Sequence, residues 1–403
     1  MMNFAQVSTV LNQIYQQASG RQAPAVTDLS SFISVANKTL NLDNDRVINA
    51  ICDVITRTIF SIRPYRNKLD FLFKPQSQWG AFVRKLSVVD SDFVDDAAYK
   101  WPVLYDASET PPTGNGEFVN QWEIRKRDIL QTFFAGSIVY SDHFTLFDRQ
   151  FNTAFRGPEE LANFFEMIVM NSNNKLELAR ESVIRGLILN MIGAVIAENQ
   201  SGRVIHLLTE YNAATNLSLT AQTAMQPDNY IPFMQWVYAR ITEVSSLMES
   251  ASTMYQTEIT GKPILRHTPK DRQMLIMHSQ TEAQITSMIR TNIRNNSYLA
   301  MPVENIRFVP YWQSIKDGER MAINVTPSYT GTNGNIVTPE SAVTNRYVIG
   351  VLFDEDAAGA AELDGRVLAT RLNERGLYRN IFTHAMHKLA MDNSEKIVVF
   401  CMD

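Results

Sequence analysis

Cysteine is nearly absent from this chain: two residues in 403, Cys52 and Cys401, far apart and in apolar surroundings. No C-x-x-C pair exists, which excludes a disulfide framework. Both thiols are expected to be free and buried, as in a protein kept in a reducing compartment. Long uncharged apolar runs are missing too, so no segment reaches the roughly 20 residues that a membrane span needs. The opening Met1-Met2-Asn3-Phe4 has neither the basic nor the apolar region of a secretory signal, and synthesis in the cytosol is expected. Charge of one sign is scarce: 37 basic against 42 acidic residues leave a formal net charge of −5. That excludes a protein whose main work is neutralising nucleic acid, because such work calls for a basic face.

Catalytic signatures are lacking as well. No G-x-G-x-x-G follows a strand, and neither a P-loop lysine motif nor G-x-S-x-G occurs. His384 and His387 are three residues apart, which in a strand puts them on opposite faces, and no third ligand is near. Asp90, Asp92, Asp95 and Asp96 resemble a calcium loop only superficially, without its glycine or its bidentate glutamate. They read as a solvated acidic loop tip. No nucleophile has a base at matched spacing, no cofactor is implied, and a structural role follows.

What is present is a chain able to bury a core, 45% hydrophobic and 20% charged, and long enough for two or three domains of about 100–200 residues each. Its organising stretch is Gly157 to Asn199. Pro158 at the first helical position, with Glu159 and Glu160 behind it, is a helix start. Leu161, Phe164, Phe165, Ile168 and Val169 recur on one face; Leu176, Ala179, Val183, Ile184, Leu187, Ile188, Met191, Ile192, Val195 and Ile196 resume it. Between them Asn171-Ser172-Asn173-Asn174 competes with the backbone for hydrogen bonds, so a bend or break is expected there.

Before this spine lie three thin amphipathic helices: residues 3–18, a second capped at Asp28, and a third with Val47, Ile48, Ile51, Val54, Ile55 and Ile59. They cannot form a core alone and read as an arm lying on something else. From Leu69 to Phe134 the texture is β-rich, with strands around 80–89, 118–124 and 129–134 and a polar tract from Ser91 to Gly116 between them. The simplest geometry is a long two-stranded excursion, and an isolated hairpin is marginal in water, so a partner surface is implied. Arg125-Lys126-Arg127 is a basic run at the base of the excursion, either a solvated face or a partner for residues 90–96 of a neighbouring subunit. After the spine, a helix near 231–256 and a strand–helix–strand unit over 272–309 make an α/β lobe. Residues 326–345 read as a surface loop. Strands are expected over 346–353, 365–371, 378–389 and 397–401, the last two pairing as a hairpin across Met391-Asp392-Asn393-Ser394.

The order of parts, with Asn49-Ala50, Thr58 to Tyr65 and Trp79 to Leu86, then Leu207 to Asn212, Arg266-His267-Thr268-Pro269 and Gly376-Leu377-Tyr378, resembles the Hong Kong 97-type major capsid proteins of tailed bacteriophages. Within that group it is most similar to the capsid proteins of phi-29-like and gut short-tailed phages. The resemblance implies an α+β fold in five parts: an N-terminal arm (1–69), an extended β-hairpin E-loop (70–135), and a P-domain with the spine helix (136–204). An α/β A-domain (205–364) and P-domain return strands (365–403) complete it. It implies a virion shell protein, assembled in the host bacterial cytoplasm. Pentamers and hexamers would enclose double-stranded DNA without sequence-specific binding, with scaffolding, portal and head accessory proteins as further partners. Expected contacts between subunits are Trp79, Phe82, Arg84, Asp95, Asp96, Arg125, Lys126 and Arg127. Some relatives crosslink through lysine; Lys85, Lys100 and Lys126 lie in the right stretch, but no motif selects one. The rival expectations are another virion protein, portal-associated or decorating, and an α/β enzyme with 205–364 as its catalytic lobe.

Overall fold

The computed structural model describes residues 4–40, 42, 46–47, 50, 69–74, 83–88, 129–134, 138–147, 157–200, 202–259, 261, 264–292, 303, 305–371 and 373–403. Helices α1 (Phe4–Ser19) and α2 (Leu29–Leu40) come first, then strands β1 (Phe73–Lys74), β2 (Val83–Val88), β3 (Ile129–Phe134) and β4 (Ile138–Phe147). The long helix α3 (Pro158–Glu198) leads to β5 (Val204–His206), α4 (Leu207–Thr215), α5 (Ala221–Ala224) and α6 (Pro227–Glu249). The lobe continues with β6 (Gln273–His278), α7 (Ser279–Asn292) and β7 (Asn305–Val309). Four short strands follow: β8 (Ile323–Val325), β9 (Tyr329–Thr330), β10 (Ile336–Val337) and β11 (Val343–Asn345). The chain closes with β12 (Val348–Asp354), β13 (Ala358–Ala369), β14 (Tyr378–Met391) and β15 (Ile397–Cys401).

Helix α3 starts as its sequence dictates, with Gly157 extended at the N-cap and Pro158 at N1, and ends on Asn199 in the left-handed region. The break expected at Asn171–Asn174 does not occur. The helix is continuous over 41 residues, about 60 Å at 1.5 Å per residue. Each Asn or Ser costs a helix a few tenths of a kcal/mol. Burial on either side of the polar stretch outweighs that cost: Leu161 is buried among the N-terminal helices, and Ile184, Leu187, Ile188, Met191, Ile192 and Val195 are buried on a sheet.

That sheet has five strands in the order β5-β15-β12-β6-β7, with β5–β15 and β6–β7 parallel and the two central pairings antiparallel. β12 and β15 are buried along their whole length. Ile397, Val399 and Cys401 face α3, whereas Val398 and Phe400 face the lobe helices with Phe233, Val237, Ile241 and Val244. β12 breaks the two-residue alternation: Val348, Val351 and Phe353 all face the spine while Ile349 and Leu352 face the lobe. The register shift between Val348 and Gly350 supplies the extra residue, as a β-bulge does. Gly350 is required there, because a Cβ would stand 2.9 Å from the Ile276 carbonyl oxygen.

A second sheet, β1-β13-β14-β4, lies along the spine. Its inward residues Phe144, Leu146 and Ile381 carry the first two helices, through Val7, Val10, Leu11, Ile14, Phe32 and Val35. The surface on which the N-terminal arm lies is thus part of the same chain. α2 is capped as its sequence suggests: Asp28 Oδ1 accepts from the Ser31 amide at 2.8 Å, and Ser31 Oγ accepts from the Asp28 amide at 3.0 Å. The bonds from Ser31 hold the Asp28 carboxyl below its ordinary range.

Two further expectations are corrected. β14 and β15 do not form a hairpin; they belong to different sheets. The polar residues between them, Asp392 to Lys396, form a buried crossover with Ser394 tied back to Asp392 Oδ1 through its amide at 2.9 Å and its hydroxyl at 2.6 Å. Residues 326–345 are not bare loop either: β9–β10 and β8–β11 are two small antiparallel ribbons. Asn190 on the spine fixes them, donating to Ser328 O at 2.8 Å and accepting from Ser328 N at 2.7 Å.

Candidate assembly surface

β2 and β3 pair antiparallel from Val83↔Phe134 to Val88↔Ile129 and form a sheet of their own, sharing no ladder with the other sheets of the described residues. Alternation gives this ribbon two unlike faces. Lys85 and Ser87 face the body, where Lys85 Nζ pairs with Asp392 at 2.6 Å and with Glu395, and Arg266 donates to Ser87 Oγ at 3.2 Å. Leu86, Val88 and Ile129 are exposed. The described residues thus leave one small apolar β-face of the ribbon open to solvent.

The four-stranded sheet has the same asymmetry. Its outer face carries Val139, His143, Phe147, Leu368, Tyr378 and Phe382, with Val139, Phe147 and Leu368 largely exposed. His143 stacks on Phe382 with centroids 5.5 Å apart, and Phe147 meets Tyr378 edge-on at 6.0 Å. His384 is on this outer face, stacked 6.3 Å from Phe382. His387 turns inward, Nε2 lying 2.5 Å from the Tyr140 hydroxyl and its ring edge-on to Phe73 at 5.3 Å. Burial and the nearby Arg180 guanidinium push the His387 imidazolium down to about 4, so the ring is neutral at physiological pH. Arg180 in turn stacks over Phe73 at 4.1 Å and pairs with Asp70 at 3.2 Å, fastening the strand that precedes the ribbon to the spine.

Of the residues expected at subunit contacts, Arg84 sits in β2 opposite Phe133. Trp79, Phe82, Asp95, Asp96, Arg125, Lys126 and Arg127 lie outside the described residues, as do Cys52 and the acidic tract at 90–96. Cys401 is free and buried, and burial raises its thiol pKa far above the ordinary value. Sequence reasoning missed Arg266, Asp392 and Glu395. The only signal was a charged run, Asp392 to Lys396, set between two apolar strands.

The model of the Phi29-like phage major capsid protein family matches residues 11–401, nearly the whole chain. The chain belongs to that family. Solved structures agree on the fold. A chain from the capsid structure of Staphylococcus phage Andhra superposes on this capsid protein with a TM-score of 0.54 at 10% identity, over 86% of this chain and 87% of that one. A chain from the structure of the head fiber and inner core protein gp22 of native bacteriophage P68 gives 0.52 at 9% identity, over 86% and 87%. No curated protein matches the sequence of this capsid protein. The α+β fold is therefore the Hong Kong 97-type capsid fold, and at about 10% identity these structures speak for the fold alone. Among the described residues no helix is long and apolar enough to cross a membrane.

Proposed function

We propose that this capsid protein assembles into pentamers and hexamers that close into an icosahedral or prolate shell around packaged double-stranded DNA. Its work is structural and not catalytic. The observation that carries this reading is the ribbon β2–β3, whose inner face is gripped by its own chain and whose exposed apolar residues, Leu86, Val88 and Ile129, are left for another copy. In this reading residues 70–135 are the E-loop laid over an adjacent subunit, and residues 1–69 are an arm. Residues 136–204 and 365–403 form the peripheral domain, and residues 205–364 form the axial domain. Trp79, Phe82 and Arg84 then make contacts across the subunit boundary, and Arg125, Lys126 and Arg127 face the neighbour's Asp95 and Asp96. Scaffolding, portal and head accessory proteins complete the head in the host bacterial cytoplasm. The mild net charge of −5 suits a lining that encloses DNA without gripping it.

Size-exclusion chromatography with negative-stain imaging of the purified protein tests the reading directly. Closed shells, or capsomers of five and six subunits, are expected. A strictly monomeric protein at high concentration, in the presence of its scaffold, would overturn it. Trp79→Asp or Phe82→Asp is expected to yield a soluble subunit that builds no shells, and normal particles from both would remove these two residues from the interface.

A further inference from the structure

The root of the ribbon is held to the body in an unusual way. β1 and β4, which precede and follow the excursion, are both laddered into the four-stranded sheet, through Phe73↔Ala360 and Ile138↔His387. The ribbon between them has no such ladder among the described residues, and side chains tie it to the body. The most concentrated of these contacts is a cluster of two cations and two anions. Lys85 on the ribbon pairs with Asp392 at 2.6 Å and with Glu395. Arg266, from the α/β lobe, also pairs with Glu395 and donates to Ser394 Oγ at 2.9 Å and, across the gap, to Ser87 Oγ at 3.2 Å. The two carboxylates are nearly sealed from solvent, with side-chain exposures of 3% and 6%, while Lys85 keeps 21%.

We infer that Asp392, Glu395 and Arg266 form an ionic catch that engages Lys85 and Ser87 and fixes the direction in which the ribbon leaves the subunit. The closed cluster is charge-balanced. Withdrawing Lys85 leaves two buried carboxylates with one guanidinium. Glu395 keeps Arg266, but Asp392 keeps only the Ser394 amide and hydroxyl. An uncompensated buried charge is expensive, whereas Lys85 is already part-exposed and rehydrates easily. The catch therefore resists opening from the body side, and the ribbon can be released without unfolding it or its sheet. Because the crossover that carries Asp392 and Glu395 also carries Lys396, which caps the end of α6 by donating to Ser250 O at 2.6 Å, the anions are presented from a rigid support. The consequence for assembly rests on the shell reading above: a ribbon with a fixed exit angle presents Leu86, Val88 and Ile129 to a neighbour without a search over orientations.

Hydrogen–deuterium exchange on the full-length protein tests the catch separately from shell formation. In Lys85→Met the amides of residues 83–88 and 129–134 are expected to exchange at least about tenfold faster, while those of 184–195 in the spine stay within about twofold of the parent. Lys85→Arg should keep most of the protection. Ser87→Ala, which removes one bond and no charge, should accelerate the same amides about threefold and serves if Lys85→Met does not fold. Unchanged ribbon exchange in these variants would overturn the catch. So would equal acceleration of the ribbon and the spine, which would make the cluster part of general stability. Shell formation by the parent protein is read in the imaging experiment, so either idea can fail while the other stands.

Discussion

At the scale of single residues, charge is buried at positions that no local motif marks. Arg203 is almost wholly enclosed between the spine and the lobe; its guanidinium pairs with Glu198, and it donates to Thr257 Oγ1 at 2.5 Å and to Ile397 O at 3.4 Å. Burial pushes Arg203 down to about 10, against the pull of Glu198. Arg203→Leu leaves the Glu198 carboxylate without a counter-charge, held only by the Thr257 hydroxyl and the Gln200 side-chain amide, and is expected to cost about 3–5 kcal/mol in denaturant unfolding, most of it recovered when Glu198→Leu is added. His387 makes a pH prediction. The unfolded chain takes up a proton near pH 6.5, whereas the folded protein refuses it until about pH 4. Across that window the unfolded state binds more protons, so stability falls as pH is lowered from 6.5 towards 4. Melting temperature against pH should therefore drop less steeply over this interval in His387→Gln than in the parent, and identical slopes would show that His387 does not carry the effect. Arg203 was not legible beforehand; the spacing placed His387 on the face opposite His384, but its neighbours Tyr140, Phe73 and Arg180 come from other elements that no local motif names.

At the scale of elements, the sequence was readable wherever local chemistry and burial agree. The proline start of α3, the Asp28 cap of α2 and the strand–helix–strand unit β6–α7–β7 all stand where periodicity and capping put them. It failed where tertiary packing overrides a local signal. Asn171–Asn174 reads as a break, yet the helix runs through it because both ends are anchored. Met391–Ser394 reads as a hairpin turn, yet its polar side chains are buried ligands for Lys85 and Arg266, and the chain passes from one sheet to the other. The first two helices form where their periodicity puts them, but the surface they rest on, expected elsewhere, is a sheet of the same chain. Leu11 is fully buried among Val7, Ile14, Phe32, Leu146 and Ile381. Leu11→Ala is expected to weaken this docking by about 2–5 kcal/mol. The loss should register as faster amide exchange in α1 and α2, with β12 and β15 unchanged. Uniform loss of protection would mean that the N-terminal helices belong to one cooperative core with the lobe.

For the whole molecule the question is how weak an individual contact can be while a shell still closes. Leu86, Val88 and Ile129 keep 53%, 47% and 61% of their surface exposed on the single chain. Covering what remains is worth about 1 kcal/mol for each side chain, roughly 3 kcal/mol per subunit. Since about 1.4 kcal/mol is a factor of ten in an equilibrium constant, a neighbour that covers this face, as proposed, would lower the concentration for assembly about a hundredfold. Threonine preserves strand preference, removes part of that apolar area and adds a hydroxyl that a covering chain would have to desolvate. The triple variant Leu86→Thr, Val88→Thr, Ile129→Thr should therefore fold with an unchanged circular dichroism spectrum and leave the catch at Lys85 intact, yet form particles only at about a hundredfold higher concentration, as followed by light scattering. Particles at the parent's concentration would mean that no copy covers this face and that other exposed apolar residues, among them Val139, Phe147 and Leu368 on the four-stranded sheet, make the contact. The two outcomes separate a shell held by reaching limbs from one held by abutting bodies.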